Sequence, residues 1–185
     1  MSKYMIASDL HGDAECVELL LERYRESCAE KLILLGDLLY HGPRNDLPAG
    51  YAPKKVIELL NGVKNELLCV RGNCDTEVDA MVLNFPMLAD YAYISVDGFD
   101  FFVTHGHNFN LAKLPPLKKG DILLHGHTHV PVVQPFGDGN LYVNPGSVSI
   151  PKESSHKSYI LYENGVLDFC DLNGGIYSTF DLNTK

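Results

Sequence analysis

Five short apolar runs, each ending in a polar cluster that contains a glycine, are the feature that most limits how this chain can fold. They are IASDLHGD, LLGDLLYHG, VRGNCD, VTHGH and LLHGHTH. Apolar runs of this length predict strands. In open α/β sheets, ligands bind in the crevice at the carboxyl ends of the strands. We therefore expect the five polar clusters to meet at one edge and form a single site.

The first two-thirds of the chain alternates apolar runs with amphipathic stretches, which predicts strands interleaved with helices. Asp13 is expected to cap a first helix, and Pro53 fits the first turn of a second helix that ends at Gly62. Thr76 and Asp79 indicate a short third helix. The inward face of the first helix is expected to carry Val17, Leu20, Leu21, Tyr24 and Cys28.

After residue 90 the pattern changes to paired apolar runs. The dipeptides Asp97-Gly98 and Asn164-Gly165 predict β-hairpins. The chain is therefore assigned to the α/β class (α+β by some schemes), with two mixed sheets packed face to face and helices on the outer faces. Its 185 residues, 45% of them hydrophobic, carry no repeat or linker and predict one domain over residues 1–185.

Composition excludes several classes of partner. The 24 acidic and 15 basic residues give a net charge of −9, which disfavours long nucleic acids. No apolar run approaches the ~18 residues of a membrane span, and the beginning of the chain lacks the pattern of a signal peptide. We expect a soluble cytoplasmic protein without a membrane partner. The five cysteines form no C-x-x-C pair, so no disulfide framework or thiolate zinc site is predicted.

The polar clusters collect nitrogen and oxygen donors that suit divalent Mn, Fe, Co, Ni or Zn. They are Asp9, His11, Asp37, Asn73, His105, His127 and His129. A single H-x-H is more often an ordinary loop, but six of the eight histidines lie in just three of the five polar clusters. Seven donors are too many for one tetrahedral ion, so two ions are favoured. If Asp37 bridges them, the two carboxylates leave two positive charges that can bind a phosphoryl group.

Several motifs together resemble the calcineurin-like metallophosphoesterase superfamily. They are D-x-H at 9 and 11, G-D at 36 and 37 with glycine at 42, G-N at 72 and 73, and G-H-T-H at 126–129. The sequence NPGS at 144–147 and the compact length are similar to its small YfcE-type bacterial phosphodiesterase branch. The resemblance implies a four-layer αββα sandwich with a dinuclear metal centre between the ends of the two sheets.

The resemblance also implies the roles of the donors. One metal would be held by Asp9, His11 and His129, the other by Asn73, His105 and His127, with Asp37 bridging. The implied reaction is hydrolysis of a small organic phosphodiester by a hydroxide bound to the dinuclear centre. Mn²⁺ is the expected metal, ahead of Ni²⁺, Co²⁺, Fe²⁺ and Zn²⁺. Asp37, Asn73 and Cys74 are the residues expected to act in catalysis.

Cys74 is the informative departure from the family, which commonly has histidine after G-N. A thiol with a pKa near ~8.5 is a weak proton donor and carries no positive charge at neutral pH. This favours diesters with stable leaving groups; the alternative is that Cys74 is only a small packed residue. Substrate contacts are expected from Asn73, Cys74, His107 and Arg44. A role for His41 is left open, and His125 either orients a donor or ends its strand.

Two other functions compete with a phosphodiesterase. A eukaryotic retromer subunit resembles this fold and works through protein contacts, so a scaffold with a vestigial metal site is the alternative from another class. The complete donor set favours catalysis over that alternative. A phosphomonoesterase is disfavoured by Cys74, and a nuclease is disfavoured by the negative charge. A homo-oligomer is compatible with the sequence.

Overall fold

The structure, a computed structural model, describes residues 2–184. Along the chain lie β1 (Lys3–Ala7), α1 (Ala14–Ser27), β2 (Lys31–Leu34), α2 (Pro53–Gly62), β3 (Leu67–Cys69), β4 (Tyr91–Val96), β5 (Phe99–Thr104), β6 (Ile122–Leu124), β7 (Val132–Phe136), β8 (Asn140–Asn144), β9 (Ser158–Glu163), β10 (Val166–Asp171) and β11 (Ile176–Asp181). Single turns of 3-10 helix lie at Lys64–Glu66, Asp79–Met81 and Leu182–Thr184.

The strands form two mixed sheets, as expected. The six-stranded sheet has the order β11-β10-β9-β1-β2-β3, and the five-stranded sheet has the order β4-β5-β6-β8-β7. Within them, β1, β2 and β3 run parallel to one another, and so do β5, β6 and β8. Each sheet therefore has three parallel strands, and the five polar clusters follow β1, β2, β3, β5 and β6.

Two layers of apolar side chains hold these elements together. Ile6 and Ile33 of the six-stranded sheet pack against Phe101, Ile122 and Leu141 of the five-stranded sheet. On the opposite side of the six-stranded sheet, α1 and α2 bury their apolar faces. Complete burial of each large aliphatic side chain contributes roughly 1.5–3 kcal/mol. The strand ends that carry the polar clusters are therefore attached to a rigid platform.

The local predictions hold with two corrections. The Asp13 side chain accepts the Cys16 backbone N–H at 3.1 Å, which caps α1 as expected. Cys28 was wrongly assigned to the buried face, because α1 ends at Ser27 and Cys28 follows it, exposed, with φ 55°. The helix expected near Thr76 is a single 3-10 turn at Asp79–Met81.

The two outer faces of the sandwich differ. Both α-helices within residues 2–184 pack on the six-stranded sheet. Part of the outer face of the five-stranded sheet is covered by the segment 105–120, in which Phe109 packs edge-on against Phe102 with ring centroids 5.6 Å apart, while Tyr91 and Tyr93 stay exposed. Pro115 and Pro116 lie in this segment, and proline disfavours a helix there. None of the helices in residues 2–184 is long and apolar enough to cross a membrane.

Candidate metal centre

Five donor side chains from four strand ends converge between the two sheets. Asp9 and His11 follow β1, Asp37 follows β2, His105 follows β5 and His129 follows β6. The Nε2 atoms of His129 and His11 lie 3.2 and 3.6 Å from Asp9 Oδ1. Those of His11 and His105 lie 3.7 and 3.5 Å from Asp37 Oδ2. The expectation that these clusters meet at one place is confirmed.

We call Asp9, His11 and His129 the first donor group. All three are buried. The Nδ1–H of His11 donates to the Tyr40 carbonyl at 2.8 Å, and the Nδ1–H of His129 donates to the Ile150 carbonyl at 2.7 Å. Because a carbonyl can only accept, the proton of each neutral ring is held on Nδ1. The Nε2 lone pairs are thereby directed at the Asp9 carboxylate, which is the arrangement of metal-ligating histidines.

Asp9 itself is held from two sides. Its Oδ2 accepts the His127 backbone N–H at 2.9 Å, and its carbonyl accepts the hydroxyls of Ser147 and Ser149 at 2.8 and 3.0 Å. Its Oδ1 is buried without a hydrogen-bond partner among residues 2–184. A buried carboxylate oxygen that faces imidazole lone pairs is costly unless a cation lies between them. The first donor group therefore fits a divalent metal ion.

We call Asp37, Asn73, His105 and His127 the second donor group. The His105 Nδ1–H donates to the Leu35 carbonyl at 2.6 Å. The His105 Nε2 lies 3.0 Å from Asn73 Oδ1 and 3.2 Å from His127 Nδ1. Asn73 is exposed and His127 is half-buried. These nitrogen and oxygen donors also suit a divalent ion; Asp37 and His105 are as buried as the first group, and only Asn73 and His127 lie nearer to solvent.

The charges at the centre favour a cation. Burial alone lowers the pKa of His105, but the carboxylates of Asp37 and Asp9 outweigh it and raise this pKa to about 9. Burial, followed by the charge on His105, lowers the pKa of His127 to about 4. For Asp9 and Asp37, burial raises the pKa, yet the neighbouring histidines bring the net pKa below the ordinary value. Both carboxylates are therefore ionised at neutral pH.

The donors lie on strained backbone. Among residues 2–184, ten residues other than glycine have positive φ, and half of them are donors. These are Asp9 (58°), His11 (46°), Asp37 (56°), His127 (67°) and His129 (62°). Such conformations cost on the order of 1–3 kcal/mol each, and they concentrate at functional sites. The surrounding hydrogen bonds hold the chain in this shape.

Asp75 supports the donor site through backbone hydrogen bonds, and the sequence analysis did not assign it. Its carboxylate accepts the backbone N–H groups of Asp37, Leu38 and Gly72 at 2.8, 2.9 and 2.7 Å. Asp37 Oδ1 in turn accepts the Cys74 N–H at 2.7 Å. Asp75 thereby fixes the position of Asp37. The only signal in the sequence was its place at the end of the GNCD cluster.

A cleft of about 400 Å³ opens above the donors. Three of the four expected substrate contacts line it: Asn73, Cys74 and Arg44. Lys152 also lines it and was missed, because only its position shortly after the NPGS segment pointed to it. Arg44 and Lys152 bring positive charge to the cleft of an acidic protein.

The other histidines lie outside the cleft lining. The ring of His107 lies 5.4 Å from that of His105. His125 is buried and stacks on Tyr142 with centroids 4.3 Å apart. Burial lowers the pKa of His125 to about 4, so it is neutral at physiological pH.

The family model, the related protein and the solved structures that match this chain agree with one another. Residues 3–165 match the family model described as the calcineurin-like phosphoesterase superfamily domain. The chain is 48% identical over 173 residues to phosphodiesterase YfcE of Escherichia coli (strain K12), which covers 94% of both proteins. The solved structure of the E. coli phosphoesterase YfcE superposes with a TM-score of 0.93 at 46% identity, over 98% of this chain and 100% of that one. Vps29 from Entamoeba histolytica, solved with Zn²⁺, shares the fold, with a TM-score of 0.65 at 20% identity over 98% and 99% of the two chains.

Proposed function

Because the chain belongs to the calcineurin-like phosphoesterase superfamily, we propose that it is a phosphodiesterase that hydrolyses small organic phosphodiesters with two divalent metal ions. The observation that carries this proposal is the convergence of two donor groups on Asp37, beneath a cleft that Arg44 and Lys152 line. The 48% identity to a protein named as a phosphodiesterase supports the reaction class.

In this proposal Asp9, His11 and His129 would hold one ion, and Asn73, His105 and His127 would hold the other, with the carboxylate of Asp37 shared by both groups. When bound, the two ions supply a nucleophile from water near neutral pH and neutralise charge on the phosphoryl group. The mixture of imidazole, carboxylate and amide donors suits Mn²⁺ and its first-row neighbours.

The residues of the cleft perform binding and selection. Arg44 and Lys152 attract an anion against the net charge of −9. Asn73 contributes a neutral oxygen and so cancels none of the positive charge at the centre. Burial raises the pKa of the Cys74 thiol, so Cys74 stays neutral and supplies no proton. A singly charged diester with a stable leaving alcohol is therefore favoured over a monoester dianion.

The test is to strip the purified protein of metal and then add Mn²⁺, Ni²⁺, Mg²⁺ and Zn²⁺ separately. Hydrolysis of bis(p-nitrophenyl) phosphate and of p-nitrophenyl phosphate is measured with each ion. We expect metal-restored cleavage of the diester, faster than that of the monoester, with two equivalents of metal bound at saturation. A preference for the monoester contradicts the substrate class. Folded protein without turnover under any ion contradicts catalysis and supports the scaffold alternative.

A further inference from the structure

An apolar groove adjoins the cleft and has no part in the function proposed above. It encloses about 440 Å³ between α2 and the 3-10 turn at Asp79–Met81. Its apolar walls are Leu39, Tyr40, Tyr51, Ile57, Val78 and Val82. Cys74 lines both the groove and the cleft, so the two spaces share one wall.

The groove leaves apolar surface open to solvent. Tyr40, Val78 and Val82 are 42%, 68% and 42% exposed. Single exposed apolar residues are ordinary, but a cluster of them around a concave space marks a binding site. The volume falls within the roughly 300–1,000 Å³ of small-molecule pockets. This surface therefore suits an apolar group of small size.

The groove is fixed relative to both donor groups. The carbonyl of Tyr40 accepts the Nδ1–H of His11, and the N–H of Cys74 donates to Asp37 Oδ1. The ring of His41 packs edge-on against the rings of Tyr40 and Tyr51, with centroids 4.8 and 5.4 Å away. A molecule that lies in the groove is thus held at a set position from the donors.

We propose that the apolar groove binds the organic group of a phosphate ester whose phosphate lies in the cleft, and that it selects esters of apolar alkyl or aryl alcohols. This inference rests on the proposed function, since it places the phosphate at the metal centre. Cys74 is small and neutral at the shared wall. A larger or charged side chain at this position would separate the two spaces.

The inference is tested by calorimetric titration of the metal-loaded protein with methyl phosphate and with butyl phosphate. Each monoester carries one organic group, so it reports on the groove whichever ester bond of a diester is cleaved. Each fully buried methylene tightens binding roughly fourfold. We expect butyl phosphate to bind at least about tenfold more tightly than methyl phosphate.

The groove variant is the double substitution Val78→Asn and Val82→Asn. Its matched control is Met81→Asn, because Met81 lies on the same 3-10 turn, is 81% exposed and is outside the groove. The double variant is expected to lose the advantage of butyl phosphate and to bind methyl phosphate unchanged. The control is expected to keep that advantage. Asparagine adds no charge, so the substitutions do not change the electrostatic attraction between the protein and the phosphate group.

Two results overturn the inference: equal affinities of the two esters, or an advantage of butyl phosphate that survives in the double variant. Its failure is distinct from failure of the proposed function. If the protein hydrolyses diesters but binds butyl phosphate no more tightly than methyl phosphate, only the selectivity of the groove is refuted. If the protein hydrolyses no diester, but prefers butyl phosphate and loses this preference in the double variant, the groove inference holds and the proposed catalysis is refuted.

Discussion

The two donor groups differ in what holds them in place. In the first group, the histidines are oriented by backbone carbonyls, and Asp9 is held by backbone and hydroxyl hydrogen bonds from distant segments. In the second group, His105 is likewise oriented by a backbone carbonyl, that of Leu35, but Asn73 and Asp37 depend on the short segment 71–75, which is attached to Asp37 through Asp75. The first group is thus fixed by the sandwich, whereas half of the second group depends on one loop.

The two groups also differ in their access to solvent. Asp9, His11 and His129 are buried, whereas Asn73 is exposed and His127 half-buried. Cys74, which departs from the family pattern, belongs to the loop of the second group. The first group is therefore the more enclosed of the two, and the more exposed members of the second group, Asn73 and His127, line the cleft. Four substitutions test this division.

The largest effect is expected from Asp37→Ala, because Asp37 contacts histidines of both groups. Loss of the shared carboxylate should remove several kcal/mol of the transition-state stabilisation that the bound metals provide. Diester hydrolysis should fall by at least roughly 10³-fold. Elemental analysis should show reduced binding of both metal equivalents. Loss of only one equivalent would show that the two groups are independent.

Gly126→Ala should damage chiefly the first group. A Cβ at this position would lie 2.6 Å from Asp9 Oδ2 and would overlap the Ser8 hydroxyl, so Asp9 must move. We expect the loss of one metal equivalent and a fall in activity of about 10²-fold, the larger end of measured effects when groups around a metal ligand change.

Gly62→Ala is the control for Gly126→Ala, because an added Cβ there meets nothing within 4 Å. Both variants are analysed for bound metal after saturation and gel filtration. Retention of two equivalents by Gly126→Ala would mean that the first group is less rigid than its hydrogen bonds indicate.

Asp75→Asn should weaken the support of the second group. The amide nitrogen of asparagine cannot accept the backbone N–H groups that the carboxylate binds, and buried donors left without partners cost about 1–3 kcal/mol. The free energy of unfolding in urea should fall by this amount, and diester hydrolysis should fall with it.

Asp79→Asn is the control for Asp75→Asn. Asp79 also accepts a backbone N–H, that of Thr76 at 2.7 Å, but at the surface. The free energy of unfolding of Asp79→Asn should fall by at most a few tenths of a kcal/mol. Equal losses in the two variants would contradict the role of Asp75 as a residue that positions Asp37.

The smallest effect is expected from Cys74→His. An imidazole can donate the proton that the buried thiol retains, so diesters with basic leaving alcohols should be hydrolysed roughly tenfold faster, below the range of a fully positioned general acid. Diesters of nitrophenol, whose leaving group needs no proton, serve as the control and should change little. An unchanged or lower rate with basic leaving alcohols would indicate that Cys74 is only a packed residue.

Much of the fold followed from local patterns. The hairpins at Asp97-Gly98 and Asn164-Gly165, both with positive φ at the two turn residues, depend on the turn sequence alone. The cap at Asp13 and the first turn at Pro53 are likewise determined by neighbours in the sequence. Cys28 shows the limit of such patterns, since helical spacing continues past the residue at which the helix ends.

Which polar side chains meet between the sheets also followed from the sequence, because side chains at the ends of parallel strands must meet where those ends meet. Their division into a fixed and an open group was decided only by the tertiary structure. The carbonyl of Ile150 orients His129, Asp75 positions Asp37 from 38 residues away, and Tyr40 joins the groove to His11. These contacts join segments far apart in the chain. Their energies depend on distances and angles that exist only after the sheets have packed.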